Sequence, residues 1–383
     1  MLRKTAIACG VALLTLGVLD GVLRVWTNSP IYQIALPSIP LLSRYHANAS
    51  ADELVVGDLG RATPAVDDDE PRWIRTQIDT FGFRNDKGAA TGPVDLIVLG
   101  DSFGFGVGTS QDAILASRLR DRYGRSPYNL SMPWTGPWAQ FMNLSVEAPR
   151  LMIQPGGTLI WLLFTGNDLD DRYGDLDPDR LPRTGPAGRL WISAKRIRNR
   201  SPLYQMLRRA GRNLIAEPQD LLTMVEARPF LNGRTLLYLT PYTQSGKRTY
   251  EDVVQHPNHA ALARTVAATK ALAARLGLTL KIVLAPAKEE VYSWATEGGA
   301  PWSTPATPSG LSMALERICA DAAVDFLDLK PSFVAASKEH FDRSGELLWW
   351  YDDTHWNGAG HDLAATIIHD RLLARAAAEE KRP

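Results

Sequence analysis

Cysteine is the scarcest reactive residue in this chain, with only Cys9 and Cys319 among 383 residues. The two lie more than three hundred positions apart, one in the apolar N-terminus and one in a helical pattern. This usage excludes a disulfide framework and a cysteine-based metal site as organising features. We expect no metal and no other cofactor.

A charge excess is also lacking, because 42 Lys and Arg residues balance 42 Asp and Glu residues. Net charge near zero gives no support to a nucleic-acid partner. The hydrophobic fraction of 45% is sufficient for a real core. The length allows one large domain with an extension, or two small domains.

Long apolar runs are missing except at the N-terminus, where Arg3 and Lys4 precede an apolar stretch from Ala6 to Leu19. Extended to Arg24 the stretch has roughly 20 residues, enough for a membrane helix, although Asp20 interrupts it. We expect residues 1–26 to form an uncleaved signal anchor with a cytoplasmic N-terminus and an exported, periplasmic or extracytoplasmic catalytic part. A cleaved signal peptide is the alternative, but no small-x-small site follows the run.

Residues 27–92 are rich in Pro, Ala and Asp and show poor periodicity, which indicates a stalk that packs late onto the main domain. One patch, Ile78 to Asn85, contains Gly82-Phe83-Arg84. We interpret it as a short strand that covers a sheet edge and do not assign Arg84 a catalytic role.

The stretch Val94 to Gly108 organises the rest of the chain. Its first half, Leu96 to Leu99, is short, apolar and partly β-branched, which predicts a buried strand of a parallel sheet. Gly100-Asp101-Ser102 follows at once. A tight turn at this point would present Ser102 at the carboxyl edge of the sheet, where ligands of open α/β folds bind.

Strand and helix patterns alternate through the remainder of residues 93–383. The strands are expected at 94–99, 128–131, 158–164, 279–284 and 324–329, and the helices at 111–123, 138–152, 260–276 and 359–378. This order predicts a three-layer α/β/α fold with a parallel five-stranded sheet. Residues 169–252 form a helical insertion, acidic at first and then basic. In the functional interpretation the insertion is a lid, or a surface that contacts lipid headgroups or an anionic glycan. In the alternative it is a pair of amphipathic helices with one solvated face.

A serine hydroxyl is a weak nucleophile and needs a base. Asp352 stands three residues before His355 near the C-terminus, a spacing that allows the carboxylate to orient the imidazole while the other ring nitrogen takes the serine proton. The apolar run Thr158 to Phe164 is followed by Gly166-Asn167-Asp168. Serine, asparagine and histidine thus stand at predicted strand ends and in a late loop.

These residues make the chain similar to the GDSL-type, or SGNH, serine hydrolases, whose four blocks are named for Ser, Gly, Asn and His. The matches are Gly100-Asp101-Ser102, Gly136, Gly166-Asn167-Asp168 and Asp352-x-x-His355. The resemblance implies a flavodoxin-like fold, a Ser102–His355–Asp352 triad, and an oxyanion hole. It places that hole on the backbone N–H groups of Ser102 and Gly136 and on the side chain of Asn167.

Three further positions are alternatives or candidates. Asp353, two residues before His355, has the Asp-x-His spacing that resembles alginate O-acetyltransferase relatives, but we prefer Asp352. Lys288, in a Pro-x-Lys-x-x-Val-Tyr patch that resembles those relatives, is a candidate substrate contact or the member of a structural salt bridge. Asp101 is the other candidate substrate contact.

We therefore expect a serine esterase that removes an acyl group, most simply acetyl, from an envelope or exopolysaccharide sugar. An O-acetyltransferase that uses the same acyl-serine and a multi-pass membrane acyltransferase partner is the first alternative. A catalytically inactive glycan-binding module is the second.

Overall fold

The computed structural model describes residues 2–26, 33–35, 42–63, 70–180, 185–199, 201–204, 206–207, 224–295 and 307–374. Its strands are β1 Gln33–Ala35, β2 Ser43–Tyr45, β3 Ser50–Val55, β4 Arg72–Gln77, β5 Pro93–Leu99, β6 Pro127–Asn129, β7 Met152–Phe164, β8 Val225–Pro229, β9 Thr235–Leu239, β10 Leu278–Ala285 and β11 Asp325–Asp328. Its α-helices are α1 Leu2–Trp26, α2 Asp58–Ala62, α3 Ser102–Phe105, α4 Leu115–Tyr123, α5 Pro137–Glu147, α6 Pro186–Asn199, α7 Thr240–Lys247, α8 Tyr250–Val254, α9 His259–Arg275, α10 Lys288–Val291, α11 Gly310–Ala322, α12 Lys330–Ser344 and α13 Gly358–Ile368.

A five-stranded parallel sheet forms the centre, in the order β11-β10-β7-β5-β6. The prediction of such a sheet is confirmed, and all five strands overlap their predicted positions. If the five strands are numbered by their order in the chain, their order across the sheet is 2-1-3-4-5. This is a doubly wound arrangement, in which the strand order reverses between the first and third strands. Here that switch point lies between β5 and β7.

The strands alternate their side chains between two hydrophobic cores, one on each face of the sheet. On β5, Ile97 and Leu99 enter one core and Leu96 and Val98 the other. The first core is closed by α5, α9 and α11, and the second by α4, α12 and α13. Each Leu or Ile buried in this way contributes about 1.5–3 kcal/mol. The predicted three-layer architecture is therefore present.

The predicted stalk contains regular structure and packs on the domain. The antiparallel pair β3–β4 and the short helix α2 lie in it, and β4 contacts the turn of 3₁₀-helix at Gln111–Ala113. Arg84 is fully buried and donates to the carbonyl oxygens of Gly106 and Thr109 at 2.6 Å each. This guanidinium therefore fixes the loop that follows Ser102.

The insertion is mixed and not purely helical. It includes α6, α7 and the antiparallel pair β8–β9. Within the predicted basic helices, positions 200, 205 and 208–223 lie outside the described residues. The end of the insertion and the residues just after it fix the loop after β7, because Arg248 pairs with Asp170 and Asn258 donates to the carbonyl oxygens of Leu169 and Asp171.

Helix α1 occupies the segment for which the sequence predicts a membrane anchor. Within the part of the chain that the structure describes, no helix combines the length and the apolar character needed to cross a bilayer.

Candidate active site

Ser102 is the first residue of α3, directly after the turn that ends β5. The turn is tight, since a Cβ on Gly100 would lie 2.8 Å from the carbonyl oxygen of Leu162. As the first residue of the helix, Ser102 has a backbone N–H without an acceptor inside the helix. The serine and its N–H therefore stand at the carboxyl edge of the sheet, as predicted.

The glycine block lies beside the serine block because β6 pairs with β5. The backbone N–H groups of Leu130 and Met132 continue the ladder by donating to Val98 and Gly100 at 2.8 and 3.0 Å. The loop then reaches Gly136, a buried residue that caps the start of α5. Its N–H is one of the free donors at that helix end.

The asparagine block follows β7, the other neighbour of β5. Asn167 is half-buried, and its Oδ1 is buried with no hydrogen-bond partner in the described part of the chain. The side-chain amide is thus not committed to the turn that it opens. Ser102, Gly136 and Asn167 come together at the ends of three adjacent strands, around the switch point of the sheet.

His355 lies in the loop before α13 and reaches the same edge. The ring of Phe103, the residue after Ser102, is 5.3 Å from the His355 ring between centroids. Within the described residues, no hydrogen bond joins Ser102 Oγ to His355, and Nε2 of the ring has no partner. His355 therefore packs against the residue next to Ser102 with one ring nitrogen uncommitted.

The preferred partner of His355 was wrong: Asp353 and not Asp352 contacts the ring. Asp353 Oδ1 lies 2.7 Å from His355 Nδ1 and also accepts the His355 backbone N–H at 3.1 Å. An aspartate commonly bonds the backbone two residues onward, and this turn brings the ring within reach. The Asp352 carboxylate faces away and accepts from the N–H groups of Gly57 and Glu70 at 2.7 and 3.1 Å.

This pairing sets the charges of both groups. Burial alone would lower the pKa of His355, but the charge of Asp353 and the hydrogen bond to it raise that pKa above its usual value. Burial alone would raise the pKa of Asp353, but His355 and Arg72 hold it well below the usual range. An ionised carboxylate is therefore positioned to stabilise the imidazolium form of His355.

Arg72, which sequence reasoning missed, holds both aspartates in place. Its Nη1 lies 2.8 Å from Asp352 Oδ1 and its Nη2 2.6 Å from Asp353 Oδ2, and its guanidinium stacks 4.3 Å from the centre of the Trp350 ring. All three charged groups are buried. A planar guanidinium is suited to bridging two carboxylates in this way.

Asp58, also missed, is a second carboxylate near His355. It accepts from the N–H and the hydroxyl of Thr354 at 2.8 and 2.6 Å, and one of its oxygens is 3.9 Å from His355 Nδ1. Neither Arg72 nor Asp58 belongs to a recognisable motif, so only the folded chain shows their position. The ligand atoms of Asp58, Asp353 and His355 lie within 4.8 Å of one another, a spacing that a cation could use. Each group already has a protein partner there, so the contacts explain the cluster without a metal.

The structure corrects the proposed substrate contact of Lys288, whereas that of Asp101 stays a prediction. Lys288 is buried, and its Nζ donates to the carbonyl oxygens of Trp350, Tyr351 and Asp353 at 3.2, 3.2 and 2.7 Å. An ammonium group has three donors, so none remains for substrate. Asp101 is buried, and its Oδ1 caps α3 by accepting from the Phe103 N–H at 2.9 Å.

Two more residues near the blocks were not predicted. Tyr242 of α7 packs edge-on against Phe164 at 5.0 Å, and a Cβ on Gly166 would lie 2.7 Å from its ring. Asp171 lies against Gly136, because a Cβ on that glycine would come within 2.3 Å of Asp171 Cβ and 2.6 Å of its Oδ2. Burial, with a smaller effect of Asp170, raises the pKa of Asp171 to about 6.

Comparison with known proteins adds a general likeness only. No family model matches the chain, and no curated protein matches it. Among solved structures, it is similar to the psychrotrophic esterase EstA from Pseudoalteromonas sp., with a TM-score of 0.35 and 10% identity over 73% of this chain and 97% of that one. It is also similar to the acetyl xylan esterase AlAXEase, with a TM-score of 0.36 and 10% identity over 72% of this chain and 98% of that one.

Proposed function

We propose that this chain is a serine esterase in which Ser102 is the nucleophile and His355 the general base. The pair His355–Asp353 carries the proposal, because an imidazole whose Nδ1 is held by an ionised, buried carboxylate leaves Nε2 to accept a proton. The ring lies 5.3 Å from that of Phe103, the residue after Ser102. The carboxylate is itself held by the buried Arg72 guanidinium, whose Nη2 lies 2.6 Å from Asp353 Oδ2.

In the proposed reaction the Ser102 hydroxyl gives its proton to His355 Nε2 as Oγ attacks the ester carbonyl carbon. The carbonyl oxygen takes up the negative charge beside the N–H groups of Ser102 and Gly136 and the amide of Asn167. One such preorganised donor is worth about 3–4 kcal/mol. The intermediate then expels the alcohol, which receives the proton from His355, and leaves an acyl-serine that water hydrolyses by the same route.

The acyl group is proposed to be small, most simply acetyl, carried by an envelope or exopolysaccharide sugar. Membrane attachment through residues 1–26 and an extracytoplasmic location belong to this proposal as predictions. Fractionation of cells that express the full chain would test them, and recovery in the cytosol would contradict them.

The second candidate is an O-acetyltransferase that passes the same acyl group from Ser102 to a sugar hydroxyl. The observation that favours it is Asp353-x-His355, since this spacing resembles the alginate O-acetyltransferase relatives and is the one that contacts the ring. Such an enzyme needs an acyl donor, which a multi-pass membrane acyltransferase would supply.

The decisive experiment measures hydrolysis of p-nitrophenyl acetate by the full chain and by Ser102→Ala. Ser110→Ala is the control, at a half-buried serine eight residues further on whose hydroxyl accepts from the Arg75 N–H. We expect turnover by the wild type and Ser110→Ala and at least a 10³-fold loss in Ser102→Ala. Equal activity of Ser102→Ala and wild type would overturn the assignment. Absence of turnover in all three would favour an inactive binding module, and an acetylated product after addition of an acceptor oligosaccharide would favour the transferase.

A further inference from the structure

One exposed tryptophan interrupts a buried run beside the oxyanion glycine. Residues 128–138 are all buried or half-buried in the core except Trp134, which is 92% exposed. Its backbone is left-handed, with a φ of 64°. A bulky residue adopts this conformation at a cost of about 1–2 kcal/mol, so both its exposure and its backbone are unfavourable for folding.

The surrounding hydrogen bonds keep this conformation in place. The Thr135 hydroxyl donates to the Met132 carbonyl oxygen at 2.5 Å, and Gln140 Nε2 donates to the Thr135 carbonyl oxygen at 2.7 Å. Gln140 is itself fixed by the Trp161 indole N–H at 2.6 Å. Strain of this kind persists only where buried contacts impose it, and it concentrates at ligand sites.

The position of Trp134 relates it to the reacting atoms. It precedes Gly136 by two residues, so the two Cα atoms are at most about 7.6 Å apart. The Asp171 side chain lies against that same glycine. Among the residues that the structure describes, no donor contacts the half-buried Asp171 carboxylate, which leaves it as a hydrogen-bond acceptor at this edge.

We propose that Trp134 and Asp171 form the subsite for the alcohol part of the ester, and that this part is a neutral pyranose. The indole face would cover the apolar C–H face of the ring, and Asp171 would accept a hydrogen bond from a ring hydroxyl. Asp170 is paired with Arg248, but the Asp171 carboxylate, unpaired among the described residues, makes a carboxylate-bearing sugar unfavourable here by like-charge repulsion. The inference rests on the proposed esterase activity and specifies its substrate class.

The test compares Trp134→Ala with Trp73→Ala, a control at a tryptophan that is 70% exposed on β4. The substrates are p-nitrophenyl acetate, partially O-acetylated xylotriose and partially O-acetylated trigalacturonate. We expect wild type to prefer the neutral trisaccharide over the anionic one at least tenfold in kcat/KM. Trp134→Ala should lower kcat/KM for the neutral trisaccharide about tenfold more than for p-nitrophenyl acetate, through KM, and Trp134→Phe should restore most of the loss.

Other outcomes separate the two proposals. Turnover of p-nitrophenyl acetate that depends on Ser102, with equal effects of Trp134→Ala on all three substrates, would overturn the subsite and leave the esterase standing. A preference for the anionic trisaccharide would also overturn it. Turnover that does not depend on Ser102 would remove the esterase assignment itself.

Trp134→Gly should unfold at a higher urea concentration than wild type, because glycine adopts a positive φ without strain.

Discussion

At the scale of single residues, the proposed role of His355 as general base depends on which aspartate contacts its ring. Asp352 and Asp353 are adjacent in the chain, three and two residues before His355, so the sequence allows either to contact the ring. Both are buried and both contact Arg72. The contact that decides between them is the hydrogen bond to the His355 ring, which only Asp353 makes. That contact gives the two residues distinct, measurable roles.

Asp353→Asn is expected to lower kcat for p-nitrophenyl acetate on the order of 10³-fold, because the amide no longer stabilises the imidazolium. It should also move the acidic limb of the kcat/KM profile to lower pH. With the carboxylate gone, burial remains and lowers the pKa of His355. Steady-state rates between pH 4 and 9 test both effects.

Asp352→Asn is the matched control. It removes a charge that Arg72 and the backbone N–H groups of Gly57 and Glu70 contact, so it should lower the free energy of unfolding. The acidic limb of the kcat/KM profile, measured on the folded variant, should stay at the pH seen for wild type. The pairing of Asp353 with His355 would be contradicted if the acidic limb of the kcat/KM profile moved in Asp352→Asn and stayed in place in Asp353→Asn.

The sequence was sufficient for residues that belong to local patterns and insufficient for those that act across distance. Ser102, Gly136 and Asn167 follow strands, so their shared edge could be predicted from strand order alone. Asp353 could not be chosen over Asp352, because the selection depends on the turn at His355 and on Arg72 some 280 positions away. Lys288 was misjudged because a position at a strand end does not reveal that backbone carbonyls take all its donors.

At the scale of elements, the described part of the N-terminal segment holds the loop that carries His355. Poor periodicity indicated a stalk that packs onto the main domain, and α2 and β4 of this segment contact that loop. The N–H groups of Leu59 and Gly60 donate to the Asp352 carbonyl oxygen at 3.1 and 2.9 Å. A short, polar segment of this kind is held by tertiary hydrogen bonds and not by its own hydrophobic pattern. Its structure therefore could not be predicted from periodicity in the sequence.

Arg72→Met should therefore lower the free energy of unfolding by about 3–5 kcal/mol, since it leaves two buried carboxylates without their cation. Arg75→Met is the control on the same strand. Arg75 pairs with Asp52 at the surface, where side-chain exposures of 71% and 54% make a pair worth less than about 1 kcal/mol. Urea unfolding of the two variants measures the difference.

Arg72→Lys separates charge from geometry in this element. It keeps a cation but cannot bridge both carboxylates with parallel donors, so it should unfold at an intermediate urea concentration. Similar stabilities for Arg72→Met and Arg75→Met would show that α2 and β4 contribute little to holding the loop.

At the scale of the whole molecule, the site concentrates buried acids that the fold must tolerate. Burial raises the pKa of Asp101 to about 6 and that of Glu289 to about 7. Burial, together with Asp101, also raises the pKa of Asp168 well above its usual value. These groups keep their protons in the folded chain at pH values where the unfolded chain has released them.

This difference in bound protons makes the stability of the protein depend on pH. Between about pH 4 and 6 the folded state binds more protons at Asp101 than the unfolded state does, so stability falls as the pH rises through this window. The full contribution is present below the unfolded pKa of the residue and is lost above the folded one. Raising the pKa of Asp101 from 3.8 to about 6 corresponds to on the order of 3 kcal/mol.

Asp101→Asn should thus raise the free energy of unfolding at pH 8 and flatten its decline between pH 4 and 6, because asparagine still caps α3 and carries no charge to bury. Asp121→Asn is the control, since Asp121 is exposed and its hydrogen bond to Arg120 lowers its pKa. Urea unfolding at pH 4, 6 and 8 makes the comparison. A steeper decline in Asp101→Asn than in wild type would contradict this account, because it would mean that the folded site stabilises the Asp101 carboxylate in its ionised form.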